Sequence, residues 1–208
     1  MKDDFSLSFY SNGATIPWEC QEWIISEEGF CGTYNNDCAS YGGLGIYYNW
    51  YAVDDSRGVC PDSWHIPSDD EIIQLEIYLG MSESEQYDIG WRGTDEGAKM
   101  AGRSDLWNEC GGCWPTDLVG NSEFGTSGLN LAPYGRRDYS MGWFINIGYA
   151  GEYWTSTEYE DEYKAWSRHL TYTSSSRARE ETRKTNGLSI YCVTIVEEGC
   201  IHPNATNY

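Results

Sequence analysis

The rhythm of apolar and polar positions changes several times along the chain, and each change marks a predicted element. Phe5-Ser6-Leu7-Ser8-Phe9-Tyr10 alternates with the period of a strand. Residues 11–47 have no period; they are rich in Gly, Asn and Asp, carry three cysteines, and read as loops and short strands. The clearest helix starts at Ser68. Ser68-Asp69-Asp70-Glu71 follows Pro67 as a capping box, with its carboxylates at the positive end of the helix dipole. Ile72, Leu75 and Leu79 then repeat at helical spacing, and Gly80 supplies the stop. A second, shorter helix is predicted over 94–101, closed by Gly102. Residues 103–151 are mostly Gly, Asn, Ser and aromatic without a period, and an irregular stretch of that length is often functional. Strand patterns return at 152–157, 164–172 and 188–196, and the first and last strands are expected to pair and close the domain. With no linker and no repeat, residues 1–196 read as one domain and 197–208 as a tail.

Composition narrows the class. The 208 residues include 13 Lys+Arg against 33 Asp+Glu, a net charge of −20, which argues against nucleic-acid and anionic membrane partners. Seventeen Tyr, 10 Trp and 5 Phe set the acidity on a folded domain, because disordered chains are poor in aromatics. With 23 Gly and a mean hydropathy of −0.59, the expectation is a loop-rich domain instead of a helical bundle, and the helix and strand patterns together make its class α+β. No apolar run approaches the roughly 18–20 residues that span a bilayer, so membrane insertion is not expected. Met1-Lys2-Asp3-Asp4 is acidic and lacks the form of a signal peptide. The expectation is a mature or excised domain, or a protein that leaves the cell without such a signal, as a virion component does.

Eight cysteines, an even number spread along a chain with little helix, read as disulfides formed outside a reducing cytosol. Zinc requires two close pairs, and only Cys110-Gly-Gly-Cys113 has that spacing. No βαβ pattern supports a thioredoxin-like role for this pair, which reads as a short disulfide stapling a Gly-rich loop. Catalytic motifs are absent: there is no phosphate loop, no His-Glu-x-x-His and no Gly-x-Ser-x-Gly. His65, His169 and His202 are isolated in sequence, and His65 reads as a packed, hydrogen-bonded side chain. No cofactor is expected. The run Glu158-Tyr159-Glu160-Asp161-Glu162 has two readings, a calcium loop built from Glu158, Glu160, Asp161 and Glu162, or a solvated acidic turn.

Charge is unevenly distributed, with 7 basic and 29 acidic residues in 1–163 against 6 and 4 in 164–208. The basic residues of the second segment are interleaved with Tyr and Ser, a mixture typical of adaptable binding surfaces. Tyr159, Tyr163, Arg168, Tyr172, Arg177 and Arg179 are therefore the expected contacts for an anionic partner. The competing reading is a polar hairpin whose arginines pair with the acidic body. Trp154 and Trp166, in strand-like runs, are expected in the core.

Several blocks together resemble one family. Tyr48-Asn49-Trp50-Tyr51-Ala52-Val53 is followed by Cys60-Pro61 and Trp64-His65-Ile66-Pro67-Ser68-Asp69. Gly93-Thr94-Asp95-Glu96-Gly97-Ala98-Lys99 and Ser127-Gly128-Leu129-Asn130-Leu131-Ala132-Pro133 come next. Gly151-Glu152-Tyr153-Trp154-Thr155-Ser156-Thr157-Glu158, Ala165-Trp166-Ser167-Arg168-His169-Leu170 and Gly187-Leu188-Ser189-Ile190-Tyr191-Cys192-Val193 complete the set. In this order they resemble the Fibrobacter succinogenes major paralogous domain, a family that looks like a branch of the C-type-lectin-like fold related to the formylglycine-generating-enzyme group. The resemblance implies two short helices, small twisted antiparallel sheets, long loops, adjacent termini and a surface or secreted location. It also places Cys60 beside Cys192. Proximity suggests Cys31 with Cys38 and elimination Cys20 with Cys200, but the sequence leaves both pairings open, and the partner of Cys200 is alternatively in a part of a longer chain. Cys110 and Cys113 sit in no block matching the reactive cysteines of the formylglycine-generating group, so that oxidase chemistry is not carried over. The sugar-binding signatures of calcium-dependent lectins are absent too. The last ten residues resemble the start of a cysteine-containing surface-protein repeat.

The expected function is a non-enzymatic recognition module, extracellular, on a cell surface or a virion, binding a protein or glycan receptor. The alternative is a structural subunit or cap of an extracellular or virion assembly, whose partners are neighbouring subunits.

Overall fold

A computed structural model describes residues 9–18, 27–34, 45–108 and 118–194. Strand β1 (Cys31–Gly32) pairs antiparallel with β2 (Tyr47–Tyr48), and the one-turn helix α1 (Trp50–Val53) follows at once. Next come α2 (Asp69–Tyr78), β3 (Gly90–Arg92), α3 (Glu96–Met100) and a 3-10 turn, Ser104–Leu106. A small hairpin, β4 (Arg136–Arg137) and β5 (Phe144–Ile145), precedes three long strands, β6 (Ala150–Glu158), β7 (Lys164–Thr171) and β8 (Ser174–Arg183). The main sheet is antiparallel in the order β3-β8-β7-β6. The result is a mixed α+β domain with short helices, small antiparallel sheets and long loops.

Helix α2 starts as its capping box predicts. Ser68 Oγ accepts from Glu71 N, and the Glu71 carboxylate accepts from Ser68 N at 2.8 Å, so two end donors are satisfied reciprocally. Leu79 caps the other end and Gly80 turns away at φ +122°. Helix α3 is shorter than predicted. The Glu96 carboxylate takes the N–H groups of Thr94 (2.7 Å) and Asp95 (3.2 Å), while Ala101 is already extended. Gly97 lets α3 lie on β8, since a Cβ there would stand 2.2 Å from the Ser176 carbonyl oxygen.

Two predicted strands need correction. The described part of the opening strand does not meet the closing one: Phe9 bridges Thr15 instead. The segment predicted as a strand at 188–196 is, in its described part, a series of single bridges, from Leu188 to Tyr48, Ser189 to Tyr153 and Val193 to His65. It crosses three elements in six residues, so no neighbour accompanies it long enough to form a ladder.

The sheet separates two apolar clusters. On one face Trp154 and Ala165 pack with Tyr48, Trp50, Val53 and Leu188. Trp154 Nε1 donates to the Tyr48 carbonyl at 2.7 Å, and Trp50 Nε1 to that of Thr155 at 3.1 Å, so both buried indoles are paired. On the other face Tyr153 and Leu170 pack with Ala98, Met100 and Trp107. Cys60 and Cys192 form a disulfide across 132 residues, with their Cα atoms 5.9 Å apart. Cys31 is buried, its Sγ 3.8 Å from the Ile16 carbonyl oxygen. Cys20, Cys38, Cys110, Cys113, Cys200 and the tail at 197–208 lie outside the described residues.

Between α2 and the sheet lies a buried ionic cluster. Asp69 binds Arg168 and Arg179, each at 2.7 Å. Glu76 binds Arg92 at 2.6 Å and Arg168 at 3.0 Å, with Arg177 at 3.8 Å. Burial raises the Asp69 carboxyl, but the hydrogen bonds and charges of Arg179 and Arg168 outweigh it and leave the group below its ordinary 3.8. Removing one member strands charge without a counterpart. Glu76→Gln should therefore cost about 3–5 kcal/mol in chemical denaturation. Because the folded Asp69 carboxyl is depressed, its contribution is complete above the ordinary value and is lost as pH falls through the folded one. Asp69→Asn should flatten that acid limb of the stability curve. Cys60→Ala should cost about 2–5 kcal/mol by the same assay.

Candidate functional site: the outer face of the sheet

The arginines expected to meet a partner are elsewhere. Arg168, Arg177 and Arg179 are buried in the ionic cluster, which corrects their assignment to a docking surface. Their side chains alternate onto the helix-covered face, and α2 carries the carboxylates that hold them there. Tyr163 is exposed, whereas Tyr159 is half-buried, edge-on to Trp166 at 4.8 Å. Trp166 is likewise only half-buried, with the Arg179 guanidinium 3.4 Å from its ring centre, while Trp154 is fully buried. Tyr172 stands at the other end of β7 from Tyr163, roughly 30 Å away along the strand that separates them. The six residues therefore form no single patch.

The acidic turn is organised by its own groups. Glu158 takes a hydrogen bond from Lys184, and Asp161 accepts from Tyr163 N at 3.0 Å. Glu160, Asp161 and Glu162 are exposed. Among the described residues no three His, Cys, Asp or Glu side chains converge as a metal would require. His65 is hydrogen-bonded as expected, to Glu71 at 2.7 Å, though half exposed.

The sheet's other face carries an open cleft of about 390 Å³. Register places Glu152, His169, Ala178 and Trp91 in one cross-strand row over β6, β7, β8 and β3. Glu152 is buried and fixed from two sides. Arg136 Nη1 donates to Oε2 and Asn146 Nδ2 to Oε1, both at 3.0 Å. His169 Nε2 lies 3.8 Å from Glu152 Oε2, and Nδ1 lies 3.4 Å from Glu180 Oε2. Arg136 Nε has no hydrogen-bond partner. The rim is aromatic: Trp91 and Tyr149 are each 50% exposed, and Tyr172 stands edge-on to Tyr149 at 5.2 Å.

Local backbone holds these groups in place. Gly135, at φ +65°, bridges Gly151, and a Cβ there would meet the Ile145 carbonyl oxygen at 2.1 Å. This close approach brings Arg136 beside Glu152. Asn146 is left-handed at φ +63°, and its carbonyl accepts from Tyr149 N at 2.9 Å and Ala150 N at 2.8 Å. The Tyr149 carbonyl in turn accepts from Tyr172 N at 2.9 Å, so the aromatic rim is anchored through its main chain.

Ser167 Oγ, 3.1 Å from His169 Nε2, gives the row the membership of a hydrolase relay. Ser167 is fully buried, however, and its hydroxyl also engages Thr182 Oγ1 at 2.7 Å and the Glu180 carbonyl at 3.2 Å. The hydroxyl is thus shielded from solvent, and its contacts order the imidazole. A second cavity, about 240 Å³, is walled by Tyr134, Tyr153 and Tyr191. Tyr153 OH is already committed there to Ala132 N and O, both at 2.6 Å.

Sequence reasoning missed the cleft because Arg136, Asn146, Glu152, His169 and Trp91 share no motif. They meet only through strand pairing. The alternation of 164–172 was a usable signal, since it puts His169 on the face opposite Arg168.

The protein-family model described as the Fibrobacter succinogenes major domain matches residues 1–194. No curated protein and no solved structure matches the chain.

Gly135→Ala should pair an unfavourable left-handed conformation with a main-chain clash and cost more than about 1–2 kcal/mol in thermal or chemical denaturation. It should also perturb the Arg136–Glu152 contact, observable as altered chemical shifts around Glu152.

Proposed function

This chain belongs to the Fibrobacter succinogenes major domain family, and on that premise we propose that it is a non-enzymatic recognition module holding a glycan or protein receptor in the outer-face cleft. The observation that carries this reading is the pairing of an exposed aromatic rim, Trp91 and Tyr149, with a polar floor already fixed by internal contacts. Large rigid rings repay contact with little loss of rotamer freedom, and a preorganised floor supplies orientation. A C-type-lectin-like topology belongs to the same proposal. It is supported by two helices set against an antiparallel meander, by the long irregular stretch before β6, and by the disulfide linking the segment ahead of α2 to the closing segment. An extracellular setting, on a cell surface or virion, is supported by that disulfide and the even number of cysteines.

The reading as a structural subunit draws on one feature, the exposed Tyr87, Ile89 and Trp91 leading into edge strand β3. Sedimentation separates the two: a stable assembly that buries Trp91 favours the subunit, and a monomer favours the module.

Saturable binding on glycan and purified-receptor arrays should be lost in the Trp91→Ala, Tyr149→Ala double variant, with the melting temperature unchanged. Retained binding would move the docking surface off the cleft. No turnover of ester or polysaccharide panels is expected, and activity abolished by Ser167→Ala or His169→Ala would overturn the non-enzymatic part.

A further inference from the structure

We infer that the outer-face cleft takes a single neutral sugar ring of an oligosaccharide, rather than an acidic glycan or a protein surface. This inference rests on the recognition reading and narrows it to a ligand class.

The first argument is spatial. Neighbouring strands lie about 4.8 Å apart, so two strand spacings place the Cα atoms of Trp91 and His169 roughly 10 Å apart. Between them the row offers only the methyl of Ala178. Trp91, His169, Tyr149 and Tyr172 all line the cleft. A volume of about 390 Å³ falls at the small end of ligand clefts, typically about 300–1,000 Å³. A protein partner of ordinary size covers about 800 Å² of surface, which a cleft of these dimensions does not provide.

The second argument is chemical. A pyranose presents apolar C–H faces and a rim of hydroxyls, each both donor and acceptor. The cleft matches both aspects, with aromatic faces at its edge and mixed hydrogen-bonding groups on its floor. The Arg136 side chain, 27% exposed, keeps guanidinium donors beyond its bond to the buried Glu152, and the His169 imidazole, 10% exposed, lines the same cleft.

Charge decides between sugar classes. Arg136 and Glu152 balance each other at 3.0 Å, and Asp138 stands 4.0 Å from the same guanidinium. An anionic ligand therefore meets no uncommitted cation, and it works against the field of a molecule with net charge −20. A cationic ligand finds the Glu152 carboxylate buried and already bonded to Arg136 and Asn146. A neutral polyol disturbs neither balance.

The test uses the whole chain and defined probes. Neutral gluco-, manno-, galacto- and xylo-oligosaccharides are titrated beside uronate oligosaccharides, by calorimetry and by tryptophan fluorescence. At least one neutral series should bind, with an affinity insensitive to ionic strength. Trp91→Ala should weaken it by about tenfold or more, with an unchanged melting temperature, while Trp64→Ala, at an exposed ring that does not line the cleft, should not. Uronate binding equal to or tighter than neutral binding overturns the inference, and so does neutral binding indifferent to Trp91→Ala and Tyr149→Ala. If no oligosaccharide binds but Trp91-dependent binding to a protein receptor persists, the sugar assignment fails and the recognition reading stands. If neither binds, both fail.

Discussion

The fold depends on a charge arrangement that it had to bury. Asp69 and Glu76, about two turns apart on α2, meet arginines from three strands of the main sheet. Asp69 is the first residue of the helix, and its own N–H donates to Thr157 Oγ1 at 2.9 Å, tying the helix start to β6. Arg179 is held from both sides, by Asp69 and by the face of Trp166, 3.4 Å from its ring centre. Such a network need not add net stability over an apolar core of the same shape. It does set register. Side chains alternate along a strand, so fixing Arg177 and Arg179 towards α2 turns Ala178 and Glu180 to the other face, and a slip of one residue would exchange them. The outer cleft is the reverse side of that choice.

Elements written in local chemistry were legible in the sequence. The Ser68 capping box and the Gly80 stop predict α2 because the interactions that begin and end it lie within a few residues. The alternating runs of β6 and β7 were similarly visible. Strand β8 was not. Its sequence, Ser-Ser-Ser-Arg-Ala-Arg-Glu-Glu-Thr-Arg, has the polarity of a surface hairpin, yet it lies between β3 and β7 with Arg177, Ala178 and Arg179 buried. Hydrophobic pattern identifies buried strands only when burial is apolar. Here the compensating carboxylates sit about a hundred residues away on a helix.

The same cause explains the displaced site. Tyr, Ser and Arg in close succession characterise binding loops, but buried ion networks draw on the same residues, and composition alone does not separate them. Lys184 shows this at the hairpin's end, buried against Trp50 and paired with Glu158. For His169 the alternation of β7 gives the face, but its neighbours Glu152 and Glu180 reach it through strand pairing and not through spacing in the chain.

Burying the cluster also alters what the molecule shows to its surroundings. Among the described residues, Arg92, Arg137, Arg168, Arg177, Arg179 and Lys184 are withdrawn from water, against Asp69, Glu76, Glu96 and Glu152. Nearly half of the 13 basic side chains are thus internal, while most of the 33 acidic ones are not among those buried. The hydrated exterior is more uniformly anionic than the formula implies. Two copies approaching each other repel over about a Debye length, roughly 8–10 Å near physiological salt and longer at low ionic strength. Exposed rings such as Trp91 and Tyr149 favour sticking between copies, and this colloidal repulsion opposes it.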